Sequence, residues 1–252
     1  MNFENRVKLL FELSIPINTN SFSYSQIKGL PEPVQRYFRF ALTEGQNNIH
    51  SVRLIHDGHF KTNLNANWTD IKGEQYFTAS PPGFVWKGST KFFQAQDMYI
   101  KDNGRLMVFL LSFLKIVDGH GLEYDQGELS RWLAENVWFP TNLLPSQNLS
   151  WSAIDNFHSK LIYNHHGIQL LFYVEINKIG EIVQIETKRY MDKEKLETWV
   201  IRLSEYKTMN NIKVPTKISA SWQIESGEFT YARFNILKME YDKNKSFAES
   251  PL

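Results

Sequence analysis

The sequence predicts an α+β domain: a mainly antiparallel, strongly curved β-sheet of half-barrel form, with N-terminal helices and one helix inserted mid-chain. Three observations lead there. Helical periodicity is confined to two N-terminal segments and a central one. From about Ser51 the apolar positions alternate instead, and short gaps containing Gly and Asn separate the alternating runs. Consecutive strands joined by short turns make an antiparallel meander; a parallel sheet would need a longer crossover between neighbouring strands.

The first helix carries Phe3, Val7, Leu10 and Phe11 on one face. Asn18 to Ser25 is polar and turn-like. Pro33 suits the first turn of a second helix, where a missing N–H costs nothing. Val34, Tyr37, Phe38, Ala41 and Leu42 form its apolar stripe, Glu32 and Arg36 an exposed pair four residues apart, and Gly45 its end. Strands are predicted at Val52 to Phe60, Gly73 to Ala79, Phe84 to Gly88, Phe92 to Lys101 and Arg105 to Phe109. The last two are paired by a turn at Asp102-Asn103-Gly104, because Asn-Gly accepts positive φ. A third helix follows, with Asp125 and Glu128 in capping-box spacing, Leu129, Trp132, Leu133 and Val137 on one face, and Pro140 as its stop. Asn148 to Asp242 returns to strands, punctuated by His166-Gly167, Gly180, Asn210-Asn211 and Ser226-Gly227. The clearest alternation is Thr216 to Ile224, with Ile218, Ala220, Trp222 and Ile224 on one face.

Composition bounds the function. With 42% hydrophobic residues, including 18 Phe, 11 Tyr and 7 Trp, the chain of 252 residues can bury one large core. It divides into an N-terminal helix and connector (1–25), a single β-rich domain (26–242) and a loose polar tail (243–252). Lys plus Arg is 28 against 27 for Asp plus Glu, so no basic field points to a nucleic-acid partner. Without cysteine there is no disulfide, thiol nucleophile or Cys-ligated metal. The N-terminus lacks the continuous apolar run of a secretory signal, which gives an expectation of cytoplasmic location. A first helix lying on a membrane surface would leave the same trace. The longest apolar stretch, Leu106 to Val117, is interrupted by Ser112 and Lys115 and is too short to span a bilayer.

The densest polar grouping is the segment from Gly127 to Pro140. At helical spacing Glu128, Arg131 and Glu135 form one stripe beside Trp132. Facing a cavity, Arg131 would clamp a carboxylate or phosphate and Glu135 would act as general base. Facing solvent, Arg131 and Glu135 would be an ordinary ion pair and Glu128 part of a cap. His56 and His59 sit three apart on a strand and so point to opposite faces; His165-His166 has the same defect and lies at a turn. Neither pair has an evident third ligand, so no metal site is expected. Tryptophans 68, 86, 132, 138, 151, 199 and 222 would either line an apolar cavity on the concave side of the sheet or fill the core. No phosphate-binding loop, nucleophile elbow or zinc-protease motif is present, and no cofactor is expected.

Taken in order, Leu30-Pro31-Glu32-Pro33-Val34-Gln35-Arg36-Tyr37, Pro81-Pro82-Gly83-Phe84-Val85-Trp86, Gly127 to Glu135 and Trp138-Phe139-Pro140 resemble a bacterial family known only as a domain of unknown function, over about residues 26–242. That resemblance implies one domain and no particular activity. The closing stretch, with Tyr206, Ile212-Lys213-Val214-Pro215, Trp222 and Tyr241, is loosely similar to the curved-sheet lipoprotein carriers. That similarity implies a sheet and helices enclosing acyl chains, although the export signal of such carriers is missing. The expectation is a binding module for an apolar or amphipathic, lipid-like molecule, with Trp86, Trp132 and Trp138 lining the site and Arg131 and Glu135 at its polar end. The rival readings are an enzyme using Glu135 and Arg131 on an acyl or carbonyl substrate, and a structural or partner-binding protein without ligand.

Overall fold

A computed structural model describes residues 1–15, 21–111 and 113–248. Among these residues three α-helices, α1 (Phe3–Glu12), α2 (Glu32–Ala41) and α3 (Leu122–Glu135), accompany thirteen strands. The first six are β1 (Ser51–Phe60), β2 (Thr69–Thr78), β3 (Gly83–Ser89), β4 (Phe93–Ile100), β5 (Asn103–Leu110) and β6 (Leu114–His120). After α3 come β7 (Leu149–Ala153), β8 (His158–His165), β9 (Ile168–Ile176), β10 (Ile182–Tyr190), β11 (Leu196–Met209), β12 (Ile212–Ile224) and β13 (Gly227–Tyr241). All pair antiparallel in one sheet, ordered β6-β5-β4-β3-β2-β1-β13-β12-β11-β10-β9-β8-β7. Two meanders are thus joined at β1 and β13, and α3 connects the two outer edges.

The sheet is bent far round without closing. Laid flat, β5 and β8 would stand about 48 Å apart at the usual spacing of about 4.8 Å per strand. Yet the turn before β5 touches the end of β8, where Asp102 Oδ1 lies 2.6 Å from His165 Nε2. The outermost strands, β6 and β7, have no ladder between them. Inside the bend, α3 packs against β4, β5 and β6 on one wing and against β9 and β10 on the other.

Turn chemistry sets the hairpins. His166-Gly167, Gly180 and Asn210-Asn211 all take positive φ where the sequence predicts turns. The β4–β5 turn is displaced from its predicted centre: Lys101 (φ 53°) and Asp102 (φ 63°) turn the chain, and Asn103 already pairs with Ile100. Gly104 serves another purpose, since a Cβ there would stand 2.1 Å from the Tyr124 carbonyl oxygen; its bareness lets α3 seat on β5. The start of α3 also differs from the expectation. Gly121, not Asp125, is its N-cap, and Asp125 lies inside the helix, accepting from the Gly104 N–H at 2.6 Å.

The apolar face of α1 is buried against the outer face of β2 to β5, on Tyr76, Val85, Met98 and Met107. Residues 245–247 pack nearby: the Lys245 and Ser246 carbonyls accept from Arg53, and Phe247 lies under its guanidinium, 4.5 Å away. The expected turn-like stretch Asn18 to Ser25 falls partly outside the described residues, as do Ser112 and the last four residues of the tail. α2 packs over β8, β9 and β12 with Val34, Tyr37, Phe38 and Ala41 inward. Its Arg36 pairs with Glu32 and also donates to the carbonyls of Asn177 and Asn156 at 2.9 Å.

Candidate functional site

The concave face carries a buried charged network where α3 meets both wings. Successive turns of the helix project Glu128, Arg131 and Glu135 toward the sheet, and all three are buried. The solvated ion pair considered from sequence is therefore an interior one, because curvature puts a sheet wall on the side of α3 that would otherwise face water. Arg131 Nη1 pairs with Asp97 of β4, and its Nε lies 3.1 Å from Glu135 Oε1. Gln75 of β2 completes a triangle, its Nε2 donating to Glu135 Oε2 at 2.6 Å. From the opposite wing Arg189 of β10 donates to the Gly127 carbonyl at 2.8 Å and to Glu128 Oε1 at 3.3 Å.

Each guanidinium is also stacked. Arg131 lies 4.8 Å from the Trp86 ring centre and 5.1 Å from that of Phe84; Arg189 lies 4.6 Å from Trp199 and 5.7 Å from Trp222. Planar, weakly hydrated guanidiniums suit such sites better than ammonium groups. The wall continues from Trp199, whose Nε1 donates to the Tyr231 hydroxyl at 2.9 Å, and from Trp222, stacked on Tyr231 at 6.1 Å. On the other wing Trp86 Nε1 donates to His56 Nε2 at 2.8 Å.

Electrostatics follow from burial. Three carboxylates and two guanidiniums leave one surplus negative charge. The strain falls on Glu128, whose pKa is pushed up to about 8, first by burial and then by the charge of Asp97. Asp97 and Glu135 are raised by burial too, an effect opposed by Arg131. Burial works against the charge of Arg131, but Glu135, Asp97 and Glu128 outweigh it and raise its pKa further. His56 is pushed down to about 4, by burial and then by Arg131, so it is neutral. Two buried carboxyl oxygens here lack a hydrogen-bond partner, Asp97 Oδ1 and Glu128 Oε2.

Of the residues singled out from sequence, the fold gathers Trp86, Arg131 and Glu135. It places the other two elsewhere. Trp132 Nε1 donates to the Thr78 carbonyl at 2.9 Å and its ring packs on Tyr163; Trp138 Nε1 donates to the Pro215 carbonyl at 3.1 Å beside Phe77. Both are fully buried supports of α3 and the turns after it. Sequence reasoning missed Gln75, Asp97 and Arg189. Gln75 and Asp97 stand on inward positions where a polar residue interrupts an alternation (Gln75 before Phe77, Asp97 between Ala95 and Tyr99), and that interruption is the available signal; Arg189 follows Thr187 at the end of β10 and carries none. Two surface clefts, one beside Phe40, Gly45 and Lys213 and one between α1 and Lys245, lie away from this network.

The fold and site define a class: a curved antiparallel-sheet protein whose inner helix holds a buried, aromatic-walled charge network. Residues 28–241 match the family described as "Family of unknown function (DUF6920)", and the chain belongs to that family. All of the ordered motifs from Leu30 to Pro140 lie within that span. Among solved structures it is similar to a LolA superfamily protein from Nitrosomonas europaea, at 12% identity and a TM-score of 0.36, covering 82% of this chain and 91% of that one. It is also similar to a DUF1329 family protein from Desulfovibrio piger, at 11% identity and a TM-score of 0.38, covering 86% and 96%. No curated protein matches the chain.

Proposed function

We propose that the concave face binds an apolar or amphipathic small molecule, with its polar end at Asp97 and Glu128 and its apolar body against Trp86, Trp199 and Trp222. One observation carries the reading: an aromatic enclosure holds two buried carboxyl oxygens, on Asp97 and Glu128, that have no hydrogen-bond partner. A buried polar atom without a partner costs about 1–3 kcal/mol, more when charged, and a guest that forms hydrogen bonds there recovers it. Because Glu128 keeps its proton below about pH 8, the network is charge-balanced at neutral pH, and the pair selects a neutral head group that donates to Asp97 and accepts from Glu128. Entry requires the wings to part, and the ladder-free gap between β6 and β7 is where a bent sheet yields most easily.

The test is extraction of natively purified protein followed by mass spectrometry, with Trp222→Ala and Trp199→Ala as variants. A stoichiometric amphipathic compound, depleted in both variants, supports the reading. Wild-type protein that yields none, and takes up none from a panel of fatty amines, alcohols and acids, overturns it.

A second reading rests on Glu128. A carboxyl poised at about 8 next to a second carboxylate is what a general acid requires. The base role that spacing suggests for Glu135 fits it poorly, because Arg131 and Gln75 hold both its oxygens. Turnover on any acyl or carbonyl compound abolished by Glu128→Gln, with folding retained, would favour this enzyme over the binding module.

A further inference from the structure

A second polar cluster lies outside this network, at the end of the bend where the β4–β5 and β8–β9 turns meet. We infer that Asp102, His165 and His166 form a binding site for a divalent transition-metal ion of the zinc class, bridging the two wings of the sheet.

The three side chains each offer a ligand atom, and those atoms lie within 4.8 Å of one another. His165 Nε2 is 2.6 Å from Asp102 Oδ1, and His166 Nδ1 is 2.8 Å from Asp102 Oδ2. Adjacent residues on a strand would point apart. Here His166 takes φ 44° at the turn, which folds its ring onto His165 at 4.2 Å, so the opposite-face objection to this pair fails. The third ligand, from 63 residues earlier in the chain, is visible only once the sheet is bent.

Two imidazoles and a carboxylate are the donor set of many zinc sites, with bonds of about 2.0–2.2 Å. At tetrahedral angles such bonds put ligand atoms about 3.3 Å apart, so metal entry asks the two Asp102 contacts to open by less than about 1 Å and the remaining ligand separation, within 4.8 Å now, to close by up to about 1.5 Å. The site is built on one side and open on the other. His165 is buried and stacked on Tyr163, which fixes its ring, whereas His166 is 71% exposed and leaves room for a water as fourth ligand. Tyr99 closes the buried side of the site, its fully buried ring lying 6.4 Å from that of His165.

The experiment uses tag-free, chelator-treated full-length protein titrated with zinc chloride by calorimetry, alongside Asp102→Asn and His166→Asn. Asn tolerates the left-handed backbone at both turns, so circular dichroism should be unchanged in the variants. One zinc per chain in wild type, weakened about tenfold or more in both variants, supports the site. No zinc bound by wild type, or a smaller loss in either variant, overturns it: the histidines then simply hydrogen-bond Asp102.

Discussion

Arg189 on β10 reaches Glu128 on α3 at 3.3 Å and secures one of its two carboxyl oxygens, leaving the other buried without a partner. This contact ties the C-terminal wing to the helix, as the Arg131–Asp97 pair ties the N-terminal one.

The half-secured Glu128 makes stability depend on pH in a definite direction. Its folded pKa, about 8, stands above its ordinary value, so the folded state holds a proton that the unfolded chain releases. Stability from this group is full at acidic pH and is lost as pH rises through the window up to about 8. His56 works oppositely: with a folded pKa of about 4, it favours the folded state above its ordinary range and costs stability as pH falls toward 4. Urea midpoints across pH 4–9 should therefore be highest and nearly level between about pH 4.5 and 6.5, where the two effects cancel, and fall on either side. Glu128→Gln should flatten the alkaline limb and His56→Phe the acidic one; an unchanged alkaline limb in Glu128→Gln would refute the assignment.

Removing Arg131 should be costly. Arg131→Met leaves Asp97 and Glu135 buried without their cation, and breaking one partner of a buried ion pair costs about 3–5 kcal/mol. The accompanying change Asp97→Asn should recover part of this in denaturant unfolding. A loss below about 1 kcal/mol would mean that the network is hydrated rather than dry.

The tryptophans should sort into two groups. Trp132→Ala and Trp138→Ala remove fully buried rings and should each cost about 3–5 kcal/mol of stability. Trp222→Ala, at the wall of the enclosure beside Arg189, should cost less and deplete any co-purified guest. Thermal unfolding with mass spectrometry on the same samples separates these outcomes.

Gly88 tests the shape of the wall. A Cβ there would come within 2.3 Å of the Trp86 ring, so Gly88→Ala should displace the indole that stacks on Arg131, at about 1–3 kcal/mol. A shift in tryptophan emission is the readout, and an unshifted spectrum at full stability contradicts the packing described for Trp86.

What the sequence made legible follows from the range of each interaction. Helix faces such as Phe3, Val7, Leu10 and Phe11, and turns such as Asn210-Asn211, are decided by neighbours in the chain. The stripe Glu128, Arg131, Glu135 was equally local, and so were its two possible orientations; only the wall formed by Asp97 and Gln75, contributed by distant strands, decides between them. β6 escaped notice because Leu114, Ile116 and Val117 are exposed, so no half-buried alternation marks it. Asp102 could not be joined to His165 and His166 because bending of the whole sheet, not spacing, brings them together.

The pairing of β1 with β13 has a kinetic consequence. Each meander is made of hairpins whose ends are close in the chain, so either can zip up soon after it is synthesised. The central ladder instead joins Val52 to Tyr241, and its closure must await the synthesis of β13. Until then β1 offers an unpaired strand edge, and the inward side chains Val52 and Leu54 lack half of their cover, which makes the nascent N-terminal wing the species most in need of a chaperone.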